Sequence, residues 1–424
     1  MKSLQSLQQK YQNDPKSMRR IKTTIHWWDL YKRHYIKLKP RLQKEIFQKA
    51  IEKAGGHFTL LAKKLNINRK TISECYKLKR NPNIGNLIKI ANFINFPLRK
   101  IEKNIVQISK SKFKPKLPFQ LHNKEGAEIR AAFLSDGHIP KSPIKSPGYF
   151  ASELTLHKRL IKLCKNIFGD FKTKTYFDGK TYVTKIPSVI GTALEMAGVS
   201  RGDKRVSKVS VPYDILFGSK EIKAAYLRRV FDDEADVYFG KNGKRAVRIS
   251  RSIDITTESL ISNPIKSECW VSVNTPTIPT HPLLLGEQLL LRQLGINAKM
   301  YLEGIYKSRR NKITVKWRLQ IAQQDSLRKF AEIINFSLEN KRKKLFNALK
   351  SYKINEFPNG ETEKFAIKVL TPIYKKKGYF SFGDLGRKLE KIGKTYDLAG
   401  HYLKVLTEKK IIKKISRGKY VFLR

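Results

Sequence analysis

The sequence predicts an α+β fold whose centre is built twice. Two copies of a helix-strand-strand-helix-strand-strand-helix (αββαββα) unit, related by a pseudo-twofold axis, form a saddle of antiparallel sheets, and smaller helical modules flank them. Three observations lead there. The same order of elements appears twice between residues 128 and 340, and a unit repeated in tandem implies internal symmetry. The strand-like stretches, such as "KTKTYFDGKTYVTK" and "KITVKWRLQ", alternate basic or aromatic residues with apolar ones. Period two puts one set on a core face and the other on an exposed, positive face. Finally, each copy opens on an apolar helix that runs into acid, "EIRAAFLSDG" and "EIKAAYLRRVFDDEA".

Charge narrows the partner. Lys and Arg number 88 against 35 Asp and Glu, a net +53 over 424 residues. An excess of this size calls for a polyanion. Double-stranded DNA is the expected partner, with RNA the alternative. No run of about 18 apolar residues exists, and the N-terminus lacks a signal-peptide core, so no membrane partner is expected. The reading is of a cytoplasmic protein, nucleoid-associated in a prokaryote. The three cysteines, Cys75, Cys164 and Cys269, form no CxxC pair and read as reduced thiols. No His/Cys spacing suits zinc.

Taken in order, residues 1–49 are basic and read as one or two helices, with Trp27 and Trp28 of "HWWDLYKRHY" as packing aromatics. Residues 50–105 read as a short helix around Leu61 and Leu65, an N-cap at Asn68, a second helix from Arg69 to Leu78, and a supporting third. This is the helix-turn-helix layout, with Arg69, Lys70, Thr71, Ser73 and Glu74 on the exposed face of the second helix. The pattern resembles the Cro and phage-repressor class over about fifty residues. Residues 106–127 read as a basic linker. The first repeat follows at 128–220 and the second at 221–340. A basic connector covers 341–361. Residues 362–424 read as three helices and a β-hairpin turning at Arg417-Gly418, a winged-helix-like module whose reading helix carries Tyr396, His401 and Lys404.

The acid-ended helices carry the chemistry. Leu227 to Ala235, "LRRVFDDEA", resembles the nine-residue motif of LAGLIDADG homing endonucleases, and so does Ile129 to Gly137, "IRAAFLSDG". The resemblance spans about residues 128–340. It implies a two-motif, single-chain endonuclease, monomeric with pseudo-twofold symmetry, in which the eighth motif position bears a metal-binding acid. That position is Asp136 in the first motif and Glu234 in the second. A register matching "EIRAAFL" to "EIKAAYL" would pair Asp136 with Arg229 and is rejected, because the chemistry needs an acid at the same terminus of both helices. Independently of the family, acids at a helix C-terminus oppose the macrodipole and make poor caps. Two of them near one axis repel unless a cation intervenes. Mg²⁺ suits, with Mn²⁺ as substitute, since it binds through few carboxylates and keeps sites for water and phosphate.

The sequence departs from the family at Arg229, where Gly is usual, and at Ala235. A bulky Arg at a helix crossing is expected to push the helices apart or to snorkel outward. The resemblance also implies basic or amide groups that polarise the attacking water, and Lys185, Gln323 and Gln324 occupy suitable strand-to-helix turns. Lys172, Lys174, Lys180, Arg245, Arg248, Lys316 and Arg318 fall on the basic phase of the strands and are expected to face DNA, as is Lys404. The leading reading is a Mg²⁺-dependent, site-specific double-strand DNA endonuclease. Two others stay open: a DNA-binding regulator that keeps this fold without cutting, and an RNA maturase that assists intron splicing.

Overall fold

A computed structural model describes residues 21–423 except 110–112, 208, 241–243, 257–277, 308–311, 353–360, 393 and 395. Cys269 and the first twenty residues of the N-terminal segment therefore lie outside the described residues, as does most of 351–361. The chain forms two compact units. The first comprises Met1–Glu234, Ser250–Leu294 and Met300–Arg318, the second Ala235–Ile249, Gly295–Lys299 and Leu319–Arg424.

The N-terminal region begins with β1 (Thr24–Ile25), a single 3₁₀ turn at Trp27–Asp29 and β2 (Ile36–Leu38). The aromatic patch is thus not the expected helix. Trp27 is fully buried and Trp28 stacks on His26 at 4.2 Å between ring centroids. An aromatic cluster follows no helical period, and its rings are satisfied by packing in an extended chain. Five helices follow: α1 (Pro40–Lys53), α2 (Phe58–Leu65), α3 (Arg69–Tyr76), α4 (Ile84–Phe93) and α5 (Leu98–Glu102). Between α2 and α3 the chain reverses through Asn66 at φ 51°, a left-handed position that Asn tolerates. Asn68 Oδ1 then accepts from the Lys70 backbone N–H at 2.9 Å, the N-cap its sequence position implies. We expect Asn68→Ala to lower unfolding free energy by about 1 kcal/mol in urea melts. An unchanged midpoint would show that the cap contributes nothing.

The stretch read as a linker is instead pinned down. β3 (Ile105–Ile108) pairs with β2, β5 (Phe119–Gln120) with β1, and β4 (Lys114–Pro115) with β8 (Gly169–Asp170). Phe113 and Phe119 are fully buried. Lys and Pro dominate its composition, yet two Phe side chains are enough to anchor it.

The first repeat runs α6 (Lys124–Leu134), β6 (Gly137–His138), β7 (Gly148–Ala151), α7 (Leu154–Phe168), β9 (Thr175–Phe177), β10 (Tyr182–Lys185) and α8 (Ser188–Met196). Two short helices, α9 (Lys204–Ser207) and α10 (Tyr213–Leu216), lead to the second. It runs α11 (Lys220–Glu234), β11 (Asp236–Phe239), β12 (Arg245–Asp254), α12 (Pro282–Gln293), β13 (Lys299–Lys307), β14 (Ile313–Ile321) and α13 (Gln324–Ile333). One sheet takes the order β6-β7-β10-β9 and the other β11-β12-β14-β13. Counted within each repeat, both are first-second-fourth-third. The internal duplication seen as an order of elements is therefore also a duplication of sheet topology.

In the second unit, α14 (Glu339–Lys350) turns the charged connector into a helix. It is followed by α15 (Thr362–Lys377), β15 (Phe380–Ser381), α16 (Phe382–Lys391), α17 (Leu398–Glu408), β16 (Ile412–Ser416) and β17 (Lys419–Phe422). Leu370, Phe380, Leu385, Leu389, Leu403 and Leu406 form one apolar core under these three helices and the sheet β15-β17-β16.

Candidate active site at the paired helix ends

Within the first unit α6 and α11 pack along each other. Every residue of α6 from Gly126 to Leu134 is buried, charged ones included. The charges are paired. Arg130 makes a two-pronged bond to Asp214 at 2.6 and 2.7 Å, and Glu128 receives the guanidinium of Arg159. Ala131 and Ser135 are buried, consistent with small residues where two helix backbones approach.

Arg229 neither forces the helices apart nor reaches out to solvent. It is 1% exposed. Its Nε lies 3.1 Å from Asp233 Oδ1, its Nη1 donates to Leu156 O at 3.4 Å, and its guanidinium sits 4.7 Å from the centre of the Tyr149 ring. Tyr149 Oη donates to Asp233 Oδ1 at 2.8 Å. Burial alone would depress the Arg229 pKa, but Asp233 holds it above its usual value. Asp233 belongs to this buried triad, although it stands beside the motif acid.

The motif acids come out as neighbours. Glu234 ends α11, and Asp136 lies two residues beyond α6. Burial first, and then the charges of Asp233 and Glu234, push the Asp136 carboxyl up to about 7. Two cations moderate the cluster. Lys204 donates through Nζ to Ser135 O and, at 2.9 Å, to Gly137 O, which brackets Asp136. Burial lowers Lys204 to about 8, helped by Arg251 and opposed by Glu234 and Asp136. Arg251 pairs with Glu234 at 3.0 Å and with Glu287 at 2.9 Å.

Neither cation was among the sequence candidates. Lys204 sits in a polar, aperiodic stretch that gives no signal. Arg251 does carry one. In β12 the buried phase runs Val247, Ile249, Arg251, Ile253, so an Arg falls among inward-facing aliphatics. Glu287 is likewise an isolated acid inside "LLLGEQLLL" and is fully buried. Two out-of-phase charges of opposite sign predict a buried pair.

Lys185 is exposed, with Nζ 5.1 Å from the Phe150 ring centre. Its charge and that of Lys204, after burial, lower the pKa of His138, two residues from Asp136. Gln323 and Gln324 lie in the second unit. Gln323 is the residue before α13, and its Oε1 accepts from Asn297 Nδ2 at 3.0 Å. Arg69, Lys70, Lys172, Lys174 and Lys180 are exposed, with Thr71 and Ser73 half-buried. Lys404 is exposed. Lys316 and Arg318 share Glu303, and Arg248 pairs with Asp236 across the Tyr238 ring. Arg245 is engaged inside its own unit. It donates to Ala348 O and Ser351 Oγ and stacks 4.2 Å from Tyr352.

Could these groups hold a metal? Among the described residues no cluster of three or more His, Cys, Asp or Glu has the geometry for one. A closed protein cage is thus not present there. A carboxyl that burial, then the charges of Asp233 and Glu234, hold near pKa 7 does fit, with Glu234, a hard cation that takes its remaining ligands from water and phosphate.

The sequence profile of the LAGLIDADG-like domain matches residues 221–335. No curated protein matches the sequence. Among solved structures, similarity is found to mesophilic variants of the homing endonuclease I-DmoI, at 13% identity and TM-score 0.31, over 54% of this chain and 98% of that one. It is also found to the N-terminal LAGLIDADG domain of DUF199/WhiA, at 11% and 0.29, over 54% and 90%. Full-length DUF199/WhiA from Thermatoga maritima gives 12% and 0.33, over 69% and 93%. At such scores the likenesses carry no argument about chemistry. The domain match stands on its own, over the segment that contains α11, its sheet strands and Glu234. Residues 221–335 of this chain are similar to the LAGLIDADG-like domain.

Proposed function

We propose that this protein is a DNA endonuclease that hydrolyses both strands of a specific duplex site with Mg²⁺ or Mn²⁺. The observation that supports this reading is the retention of one acid at each helix end, Asp136 and Glu234, within a single cluster. A structural turn has no use for two clustered carboxylates, whereas a phosphodiester site does.

In this reading Asp136 and Glu234 hold the cation, which when bound supplies charge to the scissile phosphate and activates water. Lys204 Nζ, tied to the carbonyls on both sides of Asp136, fixes that residue's backbone and places positive charge between the acids. A cation held there would keep the Asp136 carboxyl ionised, so cation binding would compete with the proton that burial favours. Arg69 and Lys70 on α3, and Lys172, Lys174 and Lys180 in the first repeat, provide charge for backbone phosphates.

Cleavage selection on a randomised duplex library with Mg²⁺ tests the reading. Enrichment of one cut sequence is expected. A library that is bound but never cut in Mg²⁺ or Mn²⁺ favours the second reading, a non-cutting DNA-binding regulator. One observation speaks for that alternative: Glu234 is already engaged by Arg251. Both readings require duplex binding that is steeply salt-dependent. Each phosphate neutralised contributes about −0.9 to the slope of log K against log salt, so six contacts lower affinity roughly a thousandfold between 50 and 200 mM. A flat dependence would refute DNA as the partner.

A further inference from the structure

We infer that Arg251 is a positioning residue: it occupies one oxygen of Glu234, leaves the other for the cation and phosphate, and locks that carboxylate to the end of the opposite motif helix. The inference rests on the proposed hydrolytic reading of this site.

The guanidinium has five N–H groups in a rigid plane, and here all five are used. Nε donates to Glu287 Oε2 at 3.3 Å and Nη2 to Glu287 Oε1 at 2.9 Å. The other Nη2 hydrogen meets Ser135 Oγ at 3.3 Å. Nη1 donates to Glu234 Oε1 at 3.0 Å and to Leu134 O at 3.5 Å. Glu287 thus grips one edge of the plane as a fork and fixes its orientation from α12. The other edge reaches the last residue of α11 and the last residue of α6. One side chain therefore sets the position of Glu234 relative to the turn that carries Asp136. Among the described residues nothing donates to Glu234 Oε2.

This arrangement is asymmetric. Asp136 is bracketed through its backbone by Lys204, while Glu234 is held through its carboxylate by Arg251. A purely structural Arg would need only Glu287, which by itself satisfies the charge. The contacts to Glu234 and to both Leu134 O and Ser135 Oγ go beyond that requirement.

Three variants separate positioning from packing. Arg251→Lys keeps the charge but cannot span both carboxylates. Arg251→Met with Glu287→Gln removes the buried pair together, so no unpaired charge remains on α12. Glu287→Gln alone loosens the fork and keeps Arg251 on Glu234. Three measurements apply to each: thermal melting, Mn²⁺ affinity of the DNA-free protein by electron paramagnetic resonance, and single-turnover cutting against Mn²⁺ concentration. With Arg251 removed, no guanidinium charge beside Glu234 opposes a cation, so the double variant should bind Mn²⁺ at least fivefold more tightly. It should nevertheless cut at least tenfold more slowly, with the KM for DNA within twofold of wild type. Arg251→Lys should also cut slowly, because charge without the fork does not rescue. Glu287→Gln should lie between wild type and the double variant on both scales.

Unchanged Mn²⁺ affinity in the double variant, with a wild-type melting profile, overturns the inference even when the wild type cuts. Arg251→Lys cutting at the wild-type rate overturns it as well. A wild type that binds Mn²⁺ without cutting removes the nuclease reading alone, and the affinity comparison still decides the role of Arg251. A wild type that binds no Mn²⁺ overturns both.

Discussion

Asp136→Asn and Glu234→Gln each lower strand cleavage by about a hundredfold or more, with duplex binding preserved. Groups that merely orient a metal ligand are worth about 10–100-fold, so losing a ligand should cost at least the top of that range. Both substitutions keep size and remove charge. Binding should hold or tighten, since a negative charge facing phosphate is repulsive without a cation. Cutting undiminished in both variants would remove these residues from the mechanism. The Asp136 variant has a second signature. Its carboxyl titrates near 7 in the folded protein, well above the ordinary aspartate value of 3.8. Between those two pH values the unfolded chain is ionised while the folded one still holds its proton. Stability therefore falls as pH rises through that window, and the penalty is complete above about 7. Asn cannot ionise, so Asp136→Asn should melt higher than wild type at pH 8 and equally at pH 4. Function at this position works against stability.

The other large effect is on folding. Arg229→Met leaves Asp233 buried with Tyr149 as its remaining partner. Breaking a buried ion pair from one side costs about 3–5 kcal/mol. Asp233 titrates at about 6 even with Arg229 present, raised mainly by burial. Without Arg229 its pKa rises further. Below that pKa the acid is neutral and the penalty fades, so the loss should be largest at pH 8 and smaller at pH 5. Arg229→Met combined with Asp233→Asn should recover most of it, because Asn keeps an acceptor for the Tyr149 hydroxyl. Urea unfolding at both pH values reads each case. Equal destabilisation at pH 5 and pH 8 would mean that packing, not charge, fixes Arg229 in place.

These two acids show what the sequence could and could not reveal. Asp233 and Glu234 are adjacent, and the charges of both bear on Asp136, that of Asp233 ahead of that of Glu234, whereas the motif spacing points to Glu234 alone. Arg229 and Asp233 stand at i,i+4 on one helix, a pairing the spacing offers, but Arg229 was expected to push the helices apart or to snorkel outward, and the Tyr149 ring and Leu156 carbonyl that help make its burial tolerable are distant in sequence. Elements with strong periodicity were legible. From Val247 to Asp254, β12 alternates between buried and half-buried residues. The order of both repeats and the C-terminal helices with their hairpin were also readable. The misreadings share a cause. "HWWDLYKRHY" and the stretch around Phe113 and Phe119 are held by a few large rings in extended chain, and such anchors leave no period to detect. Lys204 reaches the acids only through the tertiary path of a short helix, so its role could not be read from its neighbours in sequence. Arg251 could have been found, since it breaks the inward phase of its strand.

The burial of α6 on all sides bears on how the protein is made. Its principal partner, α11, begins 220 − 134 = 86 residues after α6 ends. At a synthesis rate of about 5–20 residues per second, that separation is roughly 4–17 s. Throughout that interval the face of α6 that packs on α11 has no cover. The ribosome thus releases a half-built core that only the second repeat can close. The two repeats are separable in the sequence, but they are one unit in time.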